Sequence, residues 1–222
     1  MKLTIFAATG GIGRHLLDQA VTAGHEVTAV VRNPAKLKSP DVRVIIADLT
    51  APDPASLRAA VDGADGVLSA FGPASQARTG ITAPGTRAIT EAMRATGTRR
   101  IVVVSAAPVS TTASPGRPHP PKHDPGEGVL MRYVGTPIGH LMLGRHFADL
   151  AAMEDILRDS GLDWTAVRPP RLTDKPLTAA YRTAIDQNLR GGALVSRADV
   201  AHCMLHALTD PETVKHAVGI AN

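Results

Sequence analysis

Apolar residues follow two alternating rhythms along this chain. Short dense runs read as strands: Lys2–Ala7, Glu26–Val31, Val42–Ala47, Gly66–Ala70, Arg100–Ser105 and Asp163–Arg168, with His216–Ile220 as a last one. Between them, apolar positions return every three or four residues, the spacing that gives a helix one apolar face. This predicts helices over Gly11–Ala23, Ala55–Val61, Pro84–Thr96 and His146–Ser160, and a final one from Ser196 to Leu208. Gly24, Gly97 and Gly161 follow three of these segments, as glycine commonly does at a helix C-terminus. Ser196-Arg197-Ala198-Asp199 has capping-box spacing, with aspartate where Glu or Gln is usual. Strand–helix alternation with short links predicts an α/β fold: one doubly wound parallel sheet of the Rossmann type, spanning 1–222 as a single domain, with a small C-terminal extension on the substrate side. Continuous runs such as Arg-Ile-Val-Val-Val-Ser suit a parallel sheet covered on both faces.

The rhythm breaks from Pro108 to about Glu127, where Ser114-Pro-Gly-Arg-Pro-His-Pro-Pro-Lys-His-Asp-Pro-Gly-Glu127 is too rich in proline for a helix or central strand. It follows the strand ending at Ser105, on the side where open α/β sheets bind ligands. The expectation is a mobile flap over the site, with a disordered surface insertion as the alternative.

Composition narrows the class. With 222 residues, 44% of them hydrophobic, the chain can bury one sizeable core. No stretch approaches the roughly 18 consecutive apolar residues of a membrane span, and the N-terminus runs straight into a strand without a signal-peptide core. The single Cys203 excludes an internal disulfide and suits a reducing compartment, so a cytoplasmic protein is expected. The net charge of +4 is scattered, and aromatics are only 3%, too few for base-stacking platforms. The expected partners are anionic small molecules, not nucleic acid or membrane, bound by a monomer or small homo-oligomer.

Candidate chemistry begins at Ala7-Ala8-Thr9-Gly10-Gly11-Ile12-Gly13, between a predicted strand and a predicted helix. That context makes a glycine pattern informative. Gly10 allows a tight turn and close approach of a pyrophosphate, Gly13 close packing of helix on sheet, and the helix N-terminus offers free N–H groups. Ala7 stands where the pattern usually has glycine. The second strand ends in Val31-Arg32-Asn33-Pro34-Ala35-Lys36. An acid there would bind a ribose 2′-hydroxyl, whereas arginine accommodates a 2′-phosphate. Arg32, with Lys36 a turn later, therefore points to NADP(H). Asp48-Leu49 falls near the adenine edge.

Further motifs extend over nearly the whole chain except about Pro108–Arg145: Ala47-Asp48-Leu49, Gly85-Thr86-Arg87, Val104-Ser105-Ala106, Ser160-Gly161-Leu162, Ser196–His202 and, most specific, Val167-Arg-Pro-Pro-Arg-Leu-Thr-Asp-Lys-Pro-Leu-Thr-Ala-Ala-Tyr181. With these the chain resembles the atypical short-chain dehydrogenase/reductases of the NAD(P)H-binding, NmrA-like group, and within it the biliverdin-IXβ reductase/flavin reductase type. The resemblance implies that Thr9, Gly10, Ile12, Arg32, Ala35, Lys36, Asp48, Leu49, Phe71, Gly72, Thr82, Arg87, Val103, Arg171 and Leu172 lie along an NADP groove, joining Ala7 and Gly13. It also implies that Ser105 sits beside the nicotinamide as the active-site serine.

Two departures bear on activity. The Tyr-x-x-x-Lys pair of most short-chain dehydrogenases is missing, since Tyr133 is followed by Val-Gly-Thr-Pro. That tyrosine would donate or take the proton. The residue after the paired prolines is Arg171 where the resembled reductase has histidine, and arginine binds anions without acting as an acid near neutrality. The expected activity is an NADPH-dependent reductase passing hydride to a flat conjugated acceptor such as a flavin, quinone or tetrapyrrole-like molecule, with Ser105 and Arg171 as the catalytic pair. The alternatives are a non-catalytic NADP(H)-sensing binder and a tailoring ketoreductase or isomerase.

Other groups read as structural. His202 and His206 are four apart on a predicted helix but lack the intervening glutamate of a zincin. Cys203 and Trp164 read as core. Asp149 and Glu154 read as surface charges of a helix, with a place facing the pocket as the alternative.

Overall fold

The computed structural model describes residues 1–37, 42–73, 79–128, 133 and 135–222, apart from the side chains of 136, 137 and 140. Its elements run β1 (Lys2–Phe6), α1 (Gly13–Thr22), β2 (Glu26–Val31), β3 (Arg43–Ile46), α2 (Pro54–Val61), β4 (Gly66–Ser69), α3 (Thr82–Thr96), β5 (Arg100–Val104), α4 (Thr136–Asp159), β6 (Asp163–Arg168), β7 (Arg171–Thr173), β8 (Arg182–Ile185), β9 (Leu194–Ser196), α5 (Arg197–Thr209) and β10 (His216–Ala221). Eight strands form one sheet in the order β3-β2-β1-β4-β5-β6-β10-β8, parallel except for edge strand β8. β7 and β9 pair separately, the small C-terminal extension.

Alternate residues of the strands face opposite helix layers. Leu3, Ile5, Leu68, Val102 and Val167 join Leu16 of α1 and Met204 of α5 in one core. Phe6, Val67, Ile101, Val103 and Ala166 join Leu57, Ile89, Met93 and Met153 of α2, α3 and α4 in the other. Two apolar faces on each central strand explain the unbroken apolar runs. Trp164 lies in the second core, as its alternation predicts. The helices start and stop on local signals. Asp53 accepts from the amides of Ala55 and Ser56 to start α2, and Gly97, at φ 80°, ends α3. No helix among the described residues is long and apolar enough to cross a membrane.

Some boundaries differ from the sequence expectation. α4 starts at Thr136, ten residues before His146. Gly139 and Gly144 interrupt the apolar rhythm there, and Pro137 falls in the first turn, where its missing N–H costs nothing. β7, β8 and β9 went unpredicted because three or four residues are too few to carry a legible alternation.

The segment expected to be a mobile flap is tied to the body. Ala107–Thr111 forms a 3-10 turn, and Ser114 bridges to Arg117. Asp155 of α4 accepts from the Ser114 hydroxyl (3.0 Å) and the Gly116 amide (2.8 Å). Buried Asp124 accepts from the amides of Gly126 and Asn188, both at 2.8 Å. Any opening of this segment must break these bonds.

Candidate functional site

The strand registers assemble the site. Phe6 pairs with Val30 on one side and Ser69 on the other, and Ser69 pairs with Val103. Two residues further on, these registers bring Arg32, Ala8, Phe71 and Ser105 to one level at the carboxyl ends of the strands. α1 and α3 leave β1 and β4 for opposite faces of the sheet, so the crevice of the topological switch point opens there.

The loop after β1 turns sharply. Ala7 has φ 57°, and its carbonyl accepts from the Gly10 amide at 2.8 Å. A Cβ on Gly13 would stand 2.0 Å from that carbonyl oxygen, so only glycine fits. The N-cap position Ile12 has no capping side chain, which leaves first-turn amides of α1 without a side-chain acceptor. Such amides suit a phosphate. A residue that sequence reading missed as part of this loop is Arg197, the first of α5. Its Nε would lie 3.0 Å from a Cβ built on Gly11, and it pairs with Asp174 at 2.8 Å. Arg14 reaches the same carboxylate at 3.7 Å.

The expected site residues take varied positions. Arg32, Ala35 and Lys36 are exposed, with Asn33 capping the turn between them (Ala35 N to Asn33 Oδ1, 3.0 Å). Asp48, Gly72, Arg87 and Arg171 are exposed; Thr9, Phe71 and Leu172 are half-buried. Phe71 covers Gly85, where a Cβ would come within 2.5 Å of its ring. Ile12, Leu49, Thr82 and Val103 are buried, so Val103 meets the crevice with backbone at most.

Ser105 is 6% exposed, and its hydroxyl donates to Glu154 at 2.7 Å. Arg168 holds the same carboxylate bidentately, through Nε at 2.9 Å and through a second nitrogen. Burial alone would lower the Arg168 pKa, but the adjacent Glu154 outweighs it and keeps the guanidinium charged. The expectation that Asp149 and Glu154 are surface charges fails, since both are buried. Asp149 instead caps α3, accepting from the amides of Gly80 (3.1 Å), Thr82 (2.9 Å) and Ala83 (3.0 Å). The sequence gives no local sign of either role, because each partner lies on another element.

On the α1–α5 side, Tyr181 and His202 share a hydrogen bond at 2.8 Å, and His202 and His206 meet Nε2 to Nε2 at 3.3 Å. Burial raises the Cys203 thiol to about 12, which leaves it inert at neutral pH.

A glycine turn at the switch point, an uncapped helix N-terminus and exposed cations after β2 define a dinucleotide-binding Rossmann protein. The chain belongs to the NAD(P)H-binding family, whose model matches residues 7–211. It is 28% identical over 226 residues to the uncharacterised protein YwnB of Bacillus subtilis, covering 96% of this chain and 94% of that one. It is similar to SP1627 of Streptococcus pneumoniae, provisionally named an NADH-flavin reductase, at 25% identity and TM-score 0.74, covering 100% and 99% of the two chains. It shares the fold of a wide-type short-chain dehydrogenase/reductase from Veillonella parvula solved in complex with NADP, at 21% identity and TM-score 0.74, covering 100% of this chain and 94% of that one.

Proposed function

We propose that the protein is an NADPH-dependent reductase acting on a flat, conjugated acceptor of the flavin or quinone class. The observation that carries the cofactor choice is the exposed pair Arg32 and Lys36 at the end of β2, level with the glycine loop and without a carboxylate partner among the described residues. Two cations there suit a 2′-phosphate and disfavour none of the rest of the dinucleotide. Thr9–Gly13 and the first turn of α1 would hold the pyrophosphate, and Arg197 adds positive charge beside Gly11. When bound, the nicotinamide supplies a hydride. Arg171, exposed just beyond β6, would hold an anionic group of the acceptor, such as the phosphate of FMN. The similarity to SP1627 supports the acceptor class.

Ser105 orients neighbours and is not a proton donor in this reading, because its hydrogen is committed to Glu154. The same bond favours a second reading, a non-catalytic NADP(H) sensor. Titration of NADPH and NADH by fluorescence, then NADPH oxidation with FMN or menadione, separates the two. NADPH binding at least tenfold tighter than NADH, with turnover, is expected. Turnover above background with neither acceptor would sink the reductase reading, and Arg32→Asp weakening both nucleotides equally would sink the role of Arg32.

A further inference from the structure

The tyrosine that would move the proton is absent, and α4 carries a histidine toward its N-terminal half. Glu154 marks the direction in which that helix meets Ser105 and β5, and Asp149 marks the direction in which it meets the N-terminus of α3. At 100° per residue, His146 projects between them, about 60° from Asp149 and about 80° from Glu154. It stands about 12 Å above Glu154 along the helix, toward the carboxyl ends of the strands. Its imidazole is half-buried, and its Nδ1 is buried with no hydrogen-bond partner among the described residues. Thr82, whose amide is held by Asp149, has a buried hydroxyl oxygen in the same condition. Leaving such an atom unmet costs about 1–3 kcal/mol, so both are open to a hydrogen bond from a bound molecule. Leu150, one turn after His146, is buried in the core, so no lysine assists there.

We propose that His146, with Thr82 beside it, is the proton-donating end of the site and contacts the acceptor. This rests on the reductase reading. As two electrons and one hydrogen reach the acceptor from the reduced nicotinamide, the protonated imidazole gives its proton to the acceptor's nitrogen or oxygen. The ring is left neutral and is reprotonated by water. Burial holds the ring below the usual histidine pKa, with Asp149 pulling the other way, so the protonated ring is a stronger acid than a free histidine but a smaller share of the population at neutral pH.

The test uses the full chain with NADPH and menadione, in the unaltered protein and in His146→Gln and His146→Ala. His146→Gln should lower kcat about 100-fold while leaving the Kd for NADPH within about threefold. Added imidazole should restore at least about tenfold of the rate in His146→Ala, which a merely structural role would not allow. Independently of turnover, the His146 ring signal in a proton NMR spectrum, assigned by its loss in His146→Gln, should shift when menadione saturates the NADP⁺-bound protein. A kcat within twofold of the unaltered protein, a loss that imidazole does not restore, or a ring signal unmoved at saturation would overturn the proposal alone. Absence of turnover in the unaltered protein would overturn the reductase reading and this donor with it.

Discussion

Ala7 is the residue at which this chain departs from the glycine pattern, and the backbone there has not changed to suit it. At φ 57° it occupies the left-handed region, which costs an L-residue about 1–2 kcal/mol relative to the right-handed one. Ala7→Gly removes that cost. It also frees the unfolded chain, which takes back about 0.5–1 kcal/mol. The remainder is a net stabilisation of about 0–1.5 kcal/mol, centred on about 0.75 kcal/mol. For a domain of this size the central value raises Tm by roughly 1.5–3 °C. The Ala7 carbonyl continues to receive the Gly10 amide, so the turn itself is unchanged. Differential scanning fluorimetry measures the shift, and a parallel NADPH titration should show affinity preserved within about threefold. A Tm lowered by 2 °C or more would refute the reasoning, because the φ of Ala7 could not then be a strained one. Gly13→Ala is the opposing control. Its methyl would overlap the same carbonyl at 2.0 Å, so the loop must open, and both stability and nucleotide binding should fall.

Arg197→Gln should weaken NADPH and NADH alike, by about three- to tenfold, because its charge lies beside Gly11; selective loss of NADPH in isothermal titration would contradict that place. Ser105→Ala removes one hydrogen bond to a buried carboxylate, so chemical denaturation should show a loss of about 1.5–3 kcal/mol, with kcat reduced less than tenfold; a thousandfold loss of kcat would make the serine a direct participant in the chemistry. Asp199 gives the pH dependence. Burial would raise its carboxyl, but bonds from the Thr178 and Ala179 amides and the Ser196 and Thr178 hydroxyls outweigh burial and hold it below the usual range. A depressed folded pKa stabilises the fold above roughly pH 4, and that contribution is lost as pH falls through the folded value. Asp199→Asn should therefore lower Tm at pH 7 and flatten the acid limb of the Tm-against-pH curve, and an unchanged limb would count against it.

Most of the fold was legible because its signals are local. Each central strand is an apolar run of four to six residues, and α3 stops at a glycine next to it in the chain. The glycine turn after β1 is equally local, since Gly10 and Gly13 both answer to the carbonyl of Ala7. What stayed hidden was set by partners distant in sequence. Arg197 lies 186 residues beyond Gly11 yet fills the space above it. Asp149 and Glu154 look like ordinary helix charges until α3 and Arg168 are placed against them.

That division follows the chemistry. A phosphate is held largely by backbone amides, so its site needs a turn, and a turn is written in a few adjacent residues. A proton donor must be a side chain held at a chosen distance from a reacting atom, and that distance is set by how helix, strand and loop meet. In this protein Asp149 would set it, by locking the middle of α4 to the start of α3 through three amides. The lock fixes the height of His146, nearly one turn away on the same helix. The two ends of the site are therefore separable. Substitutions at Arg32 should change which nucleotide binds, while substitutions at His146 and Asp149 should change what the bound nucleotide can reduce.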